Sequence, residues 1–588
     1  MAFSLTTPVL GAVQEDNPRQ LTSMQFEMLV LDWDTFSVDA GYAIADALEE
    51  IGIKVTVNEL DDSVFYPRVY YNGYYNISGG DLVVVDKLRD FQAYEMSSGY
   101  SPVPNHVYFR MHSSQDYHNG DNHQGLHNDT LDDALEKVQE AITQAELKAA
   151  LNDVQAYAAD LLPYFPLFVS DDSHVIRKEW NGYVQLPGGI FTSFNPWTFL
   201  NMSAVGETEF RMAYPSDISY LNPLDYTDER SGWWATAIYD TLIAYDDKLA
   251  KEPWLAESWA LATDGKQVNF TLRSGVKWHD GADLTPEDVK FTIELIQNTT
   301  DSPRYSSTIY VDDITIDGQV ISIDLSQPYG FIVDDLGQLK ILPKHIWEPE
   351  IADLSVFNTA NNATLHVGSG PYVYTSGITG GGPYVATKNA NYWYTGGLSM
   401  PNLQTNPLPA GTYPKINTIS VEVASERVLG MENDDYDSER YEADVSVINQ
   451  IGTTYNNIKL VNTPSQWDYY MVLNTKIKPF DDVNVRRAMQ YALDRDAIAQ
   501  AARGDYATVT DSVVPDCFYP DYYNPNINKY SYNVAKAKEL LDAGGYVDED
   551  GDGWRDVPVE SGGGAPGFDF FIAIFGMFVM IPIIRRKK

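Results

Sequence analysis

Apolar residues along the chain follow the two spacings that separate strands from helices. Val268, Phe270 and Leu272 alternate with polar residues after the turn signal Asp264-Gly265-Lys266, which predicts a half-buried strand. Val289, Ile293 and Ile296 recur at helical spacing instead. Ahead of them Thr285-Pro286-Glu287-Asp288 supplies an N-cap, a first-turn proline and acids facing the positive helix end. Near the start of the chain, Phe26 to Leu31 predicts a strand, Tyr42 to Ile51 a helix stopped by Gly52, and Ile53, Val55 and Val57 the next strand. Further on, Thr130 is placed to cap a helix with Leu131, Leu135, Val138 and Ile142 on one face, and Leu147 to Leu161 carry the helical pattern to Pro163.

The last apolar pattern is of another kind. Phe568 to Ile584 is broken only by Asp569 and is followed at once by Arg585-Arg586-Lys587-Lys588, which predicts a membrane span with a cytoplasmic tail and everything upstream outside. A Gly-rich spacer, residues 558–567, precedes it. Pro566-Gly567-Phe568, the apolar span and the basic cluster together resemble the tripartite C-terminal sorting signals of archaeal surface proteins, which implies replacement of the span by a lipid. Residues 1–19 read as a degenerate signal segment, since Met1 to Val13 is mildly apolar and ends in small residues without a basic start.

Composition narrows the class of protein. A chain of 588 residues has material for two or three lobes, since single cores stop growing near roughly 250 to 300 residues. A formal charge of −43 excludes nucleic acid as a partner and predicts an acidic, solvated surface. Cys517 is the sole cysteine, so no intrachain disulfide forms. Six N-x-S/T sequons, at Asn76, Asn128, Asn201, Asn269, Asn298 and Asn362, fit an exported glycoprotein.

A series of local motifs carries a family resemblance. It runs from Leu221-Asn222-Pro223-Leu224 through Leu255-Ala256-Glu257-Ser258-Trp259, Gly275 to Gly281 and Leu342-Pro343-Lys344-His345. It continues through Gly368-Ser369-Gly370-Pro371-Tyr372, Asn389 to Trp393, Tyr470 to Thr475, Asn484 to Ala488 and Tyr491 to Arg495. In this order they resemble the family 5 extracellular solute-binding proteins, which serve oligopeptide, dipeptide and nickel importers. The resemblance implies an α/β fold of the two-lobed, type II Venus-flytrap kind with an extra subdomain. It also implies a binding role without catalysis, ABC importer permease subunits as partners and a monomeric chain outside the cell. The elements that follow the helix Val534 to Ala543 in the family sit here at the opposite end of the chain, which reads as a circular permutation joined through Tyr183 to Thr208; the alternative is a fusion of two incomplete genes. The implied units are lobe I at 164–247 and 366–473, a subdomain at 248–365, and lobe III at 474–557 and 20–163. The spacer, the anchor at 568–584 and the tail at 585–588 follow.

The sequence holds no Gly-x-Ser-x-Gly, His-Glu-x-x-His or P-loop motif. An extracellular glycoside or peptide hydrolase using paired cleft carboxylates is the rival of another class. His106, His112, His118, His123 and His127 lie among Asn, Asp and Gly and read as an exposed loop, with a metal site as the alternative. Asp548-x-Asp550-x-Asp552-Gly553-x-x-Asp556 has the spacing of a calcium loop, with Val559 where the last ligand belongs; structural calcium and a plain acidic turn both remain open, and no other cofactor is required. For the solute, the resemblance aligns Tyr94 to Pro102 with a segment that supplies an Asp for the ligand's amino group. That Asp is missing, with Glu95 as a substitute, which leaves room for oligosaccharide or a nickel complex beside peptides. The candidate ligand-binding residues are Tyr94, Glu95, Ser97, Ser98, Tyr100, Trp233, Trp234, Trp467, Tyr469, Tyr470 and Asn474.

Overall fold

The computed structural model describes residues 23–69, 75–78, 81–84, 90–116, 120–352, 354–359, 364–377, 383–396, 411–439 and 445–558. The signal segment at 1–19, His118, Asn362, most of the spacer and the whole anchor lie outside the described residues. Among the described residues no helix is long and apolar enough to cross a membrane.

Strand β1 (Gln25–Leu31) sends Phe26 and Met28 to one face of a sheet and Leu29 and Leu31 to the other, all of them buried. A strand covered on both faces reads as an apolar run, which the sequence shows over Met28 to Leu31, with the half-buried Glu27 ahead of it. It pairs in parallel with β2 (Lys54–Leu60) and with β3 (Ala93–Gly99). Two long antiparallel strands continue the sheet: β4 (Tyr164–Arg177) and β5 (Ile458–Leu473), with β5 against β3. Beyond β4 come Ser438–Glu439, Glu209–Tyr214, Thr418–Val423, Tyr384–Lys388 and Tyr372–Ser376, while Ala507–Val509 also pairs with β4. The result is a mixed α/β architecture with an eleven-stranded sheet. A separate four-stranded sheet holds Ala256–Leu261, Gln267–Leu272, Val320–Leu325 and Val311–Asp317 in that order, and Val268, Phe270 and Leu272 point into the core as their alternation predicts.

Helix starts differ from the sequence reading where a polar cap lies upstream of the apolar stripe. Helix α1 (Thr35–Glu49) begins well before Tyr42, because the Asp34 carboxylate accepts from the backbone N–H groups of Phe36 at 3.1 Å and Ser37 at 3.3 Å. Gly52, at φ 81°, follows its end. Helix α2 (Asp129–Glu140) is capped by Asn128, whose Oδ1 accepts from Leu131 N at 3.0 Å, and not by Thr130. Ile142 therefore falls beyond its end, in the corner before α3 (Gln144–Leu161), where Thr143 and Glu146 form a capping box. Helix α4 (Glu229–Ile238) begins at the Asp228 cap, and α5 (Pro286–Gln297) begins at Thr285 as expected, with Thr285 N donating to Asp288 at 2.8 Å.

One core joins distant parts of the chain. Phe26, Met28, Ile44 and Leu48 pack with Val485, Met489, Ile498 and, on helix α6 (Val534–Ala543), Leu541. Burying each such side chain contributes about 1.5–3 kcal/mol. Backbone bonds close the junction, with Met24 N donating to Arg555 O at 2.7 Å and Arg555 N to Gly52 O at 2.9 Å.

Candidate functional site

Strands β4 and β5 are the longest described strands, and their ladder shifts register between Pro464 and Asp468 and again between Tyr469 and Tyr470. Ile458–Pro464 meet Asp171–Arg177 on one side of a bulge, and Asp468–Val472 meet Tyr164–Val169 on the other. A bulge bends its strand and re-aims its side chains. Here Ser465 Oγ bonds Ser170 Oγ at 2.8 Å, Tyr100 N donates to Gln466 O at 2.7 Å, and the Gln466 amide donates to Glu229 at the start of α4. Trp467 stands out of the bulge at 37% exposure, beside the exposed Gly99.

Of the eleven candidate ligand residues, this bulge gathers Trp467 with the half-buried Ser97 and Ser98, which lie opposite Tyr469 and Asp468 on β5. The other eight are buried. Trp233 and Trp234 pack among Phe191, Phe199, Tyr214 and Tyr384. Tyr469 stacks on Phe168 at 4.7 Å, and Tyr94 O–H meets His123 Nδ1 at 2.5 Å. Asn474 turns to the backbone, donating to Phe91 O at 3.1 Å. Tyr100 and Tyr470 flank the Arg110 guanidinium, whose centre lies 5.5 and 4.7 Å from their rings. Glu95 has no solvent access. Burial first, then the neighbouring Asp34 carboxylate, push its pKa well above the usual carboxylate range, with Ser37 opposing. Enclosed in this way, the Glu95 carboxyl is not exposed to a solute's amino group, unlike the substitute the resemblance suggested.

The histidine-rich stretch is also corrected, since His106, His112 and His123 are buried and individually partnered rather than exposed on a loop. His106 Nε2 donates to Val513 O at 2.8 Å and its ring stacks on Tyr519. Burial, with Arg110 next, pushes the imidazole down to about 3. Between that value and the unfolded one near 6.5 the unfolded chain binds more protons, so this histidine's contribution to stability is lost as pH falls. Lowering pH from about 6.5 to 3 is expected to cost on the order of 4 kcal/mol through His106. In His106→Gln, which keeps a donor, urea midpoints should fall less over that range; parallel wild-type and mutant curves would refute the assignment.

Two further features were not read from sequence. Asp240, just past α4, is buried and accepts from Trp254 Nε1 at 2.9 Å, Tyr392 O–H at 2.9 Å, Trp393 Nε1 at 3.1 Å and Ser369 Oγ at 3.1 Å. Three of these four donors lie within the motifs at 368–372 and 389–393, so those motifs meet at one carboxylate. A groove of about 220 Å³ runs between Pro102, Val103, residues 141–147, Asp521 and Tyr522 on one wall and residues 248–251 and 330–334 on the other. Of its two acids, Asp334 is already committed to Lys251 Nζ at 2.8 Å and Tyr245 O–H at 2.8 Å. In the acidic loop, Asp548, Asp550 and Asp552 bring one oxygen each within 4.8 Å of one another, the sole such group among the described residues. Asp556 stands apart from them and accepts from Glu549 N at 2.8 Å.

The family described as bacterial extracellular solute-binding proteins, family 5 Middle, matches residues 251–570. That is more than half of the chain, and the protein belongs to this family. The glutathione-binding protein GsiB of Salmonella typhi is 28% identical over 352 residues, covering 59% of this chain and 63% of the relative. The protein of the same description from Pectobacterium atrosepticum is 26% identical over 339 residues, covering 57% and 61%. The chain thus spans less than two thirds of the length of these curated relatives. Among solved structures, NikZ of Campylobacter jejuni in complex with Ni(L-His) is 22% identical with a TM-score of 0.45, covering 59% of this chain and 65% of that one. The oligopeptide-binding protein AppA of Bacillus subtilis, in complex with a nonapeptide, is 23% identical with a TM-score of 0.42, covering 59% and 66%.

Proposed function

We propose that the chain is the solute-binding component of an ABC importer, held at the outer face of the membrane, and that it captures peptide-like solutes without turnover. Membership of the solute-binding family carries the reading. The geometry supports it, because β4 and β5 pair with each other and carry strands on both sides, β3 on β5 and Ser438–Glu439 and Ala507–Val509 on β4. In this reading the solute sits at the bulge against Trp467 and Ser97, which share a face of the sheet, while Ser98 faces the other side with Asp468. Glutathione, the solute in the name of the GsiB relatives, is the first probe, followed by tri- and tetrapeptides. A bound solute should raise the melting temperature and change Trp467 fluorescence, and Trp467→Ala should weaken binding about tenfold while leaving melting of the free protein unchanged. A broad peptide screen without any thermal shift would sink the reading.

The shared core of residues 24–57 with 485–557 supports a circularly permuted order of family elements within one lobe. The apolar stretch at 568–584 with its basic tail supports an anchor, which protease accessibility on intact cells checks. Three clustered carboxylates and Gly553 at φ 96° support calcium in the acidic loop. Calorimetry should show one calcium bound by wild type and at least tenfold weaker binding by Asp550→Ala; identical titrations would leave only an acidic turn.

A further inference from the structure

The corner between α2 and α3 meets a loop nearly two hundred residues away. Gly330 N donates to Gln139 O at 2.7 Å, at the end of α2 where helix carbonyls lack intrahelical partners. A Cβ on Gly330 would stand 1.8 Å from Ala141 O and 2.8 Å from its carbonyl carbon, so no side chain fits there. The backbone of Gly330 is not in the left-handed region, and the glycine is demanded by this approach alone. Beside it, Gly265, at φ 68°, would place a Cβ 3.1 Å from Ile142 Cγ2 and 3.2 Å from Pro328 Cβ. Tyr329 N donates to Gly265 O at 3.1 Å and ties the two loops into one socket.

The socket and the corner belong to opposite sides of the groove. Ala141, Ile142, Thr143 and Gln144 line the groove on one side and Gly330, Phe331 and Asp334 on the other, so the contact joins two parts of its lining. Ile142 is only half-buried, and Thr143 and Gln144 are exposed. An ordinary core contact would have no such solvent-lined groove beside it. A bare glycine facing a backbone carbonyl gives close approach without interlocking side chains, which suits a contact that forms and releases.

We propose that the α2–α3 corner seated on Gly330 and Gly265 is a latch that holds the two sides of the molecule in the closed arrangement. It deepens the solute-capture reading and rests on it, since latch strength sets the closed fraction and therefore the apparent affinity. The test needs no solute. In full-length Cys517→Ala protein, Ile142→Cys with Pro328→Cys should crosslink readily with a short bis-maleimide, and adding Gly330→Val should slow the reaction about tenfold. Ile142→Asp, which alters a half-exposed corner and no core, should raise deuterium exchange of the Gly330 amide about tenfold while amides of β1 and β5 stay protected. Parent-rate crosslinking in the Gly330→Val protein, or exchange that rises in β1 and β5 together with Gly330, would overturn the latch. Loss of peptide binding in a protein whose crosslinking is intact contradicts the solute reading and leaves the latch standing.

Discussion

Asp240→Ala is expected to be the most damaging single substitution in the molecule, costing about 3–5 kcal/mol of stability. The carboxylate is 2% exposed and accepts from two indoles, a phenol and a serine, so its removal strands three buried donors and the half-buried Trp393 at once. Leaving a buried donor without a partner costs about 1–3 kcal/mol, and the four share one site, so their losses do not simply add. Lys340 adds a second cost. It is buried, donating to Ser193 O and Thr236 Oγ1, and burial pushes its pKa down to about 7 while Asp240 opposes that fall. Without Asp240 the ammonium loses a carboxylate that favours its charged form. Asp240→Asn retains acceptor capacity for part of the set and should lose about half as much. Urea denaturation followed by tryptophan fluorescence reports on Trp254 and Trp393 directly. A midpoint for Asp240→Ala close to that of wild type would show that these donors find other partners.

This node also shows how far the sequence could be read. Gly368-Ser369-Gly370 and Asn389 to Trp393 stand out as family motifs, yet nothing local in either points to Asp240, because their meeting place is set by chain segments more than a hundred residues apart. Local signals fared according to how much of the physics was local. Thr285 as cap, Gly52 as helix stop and the alternation of Val268, Phe270 and Leu272 depend on neighbours within a few residues, and the structure has them as read. Asp34 was missed as a cap because the apolar stripe begins more than a turn after the true helix start, and Asn128 because Thr130, two residues on, is itself a capping residue type. The candidate site suffered most. Aromatic side chains such as Trp233 and Tyr469 serve equally in a core or against a solute, and only tertiary packing distinguishes the two; Trp467 is exposed because a bulge turns it outward. Glu95 is enclosed beside Asp34, a burial that no local sequence pattern signals.

The bulge that exposes Trp467 also fixes the second large effect. Its next residue, Asp468, takes both ends of the Arg110 guanidinium, Nη1 at 2.7 Å and Nη2 at 3.1 Å, with the two side chains 3% and 8% exposed. Removing one partner of a buried pair leaves an uncompensated charge, so Asp468→Ala should lose about 3–5 kcal/mol. The aromatic rings do not replace the carboxylate. Tyr470 and Tyr100 offer their faces to Arg110, but a cation over a ring gains only about 0.5–2 kcal/mol. Replacing both partners by apolar residues of similar size removes the desolvation penalty together with the attraction, so Arg110→Met with Asp468→Leu should melt within about 1 kcal/mol of wild type. The thermodynamic cycle through Arg110→Met, Asp468→Ala and their combination should give a coupling of at least about 2 kcal/mol. Solute binding separates a scaffold role from a direct one. If the pair only holds the bulge in place, the apolar double variant keeps the position of Trp467 and binds peptide nearly as wild type does. Should that variant melt normally and bind nothing, Arg110 or Asp468 touches the solute, and the pair belongs to the site itself.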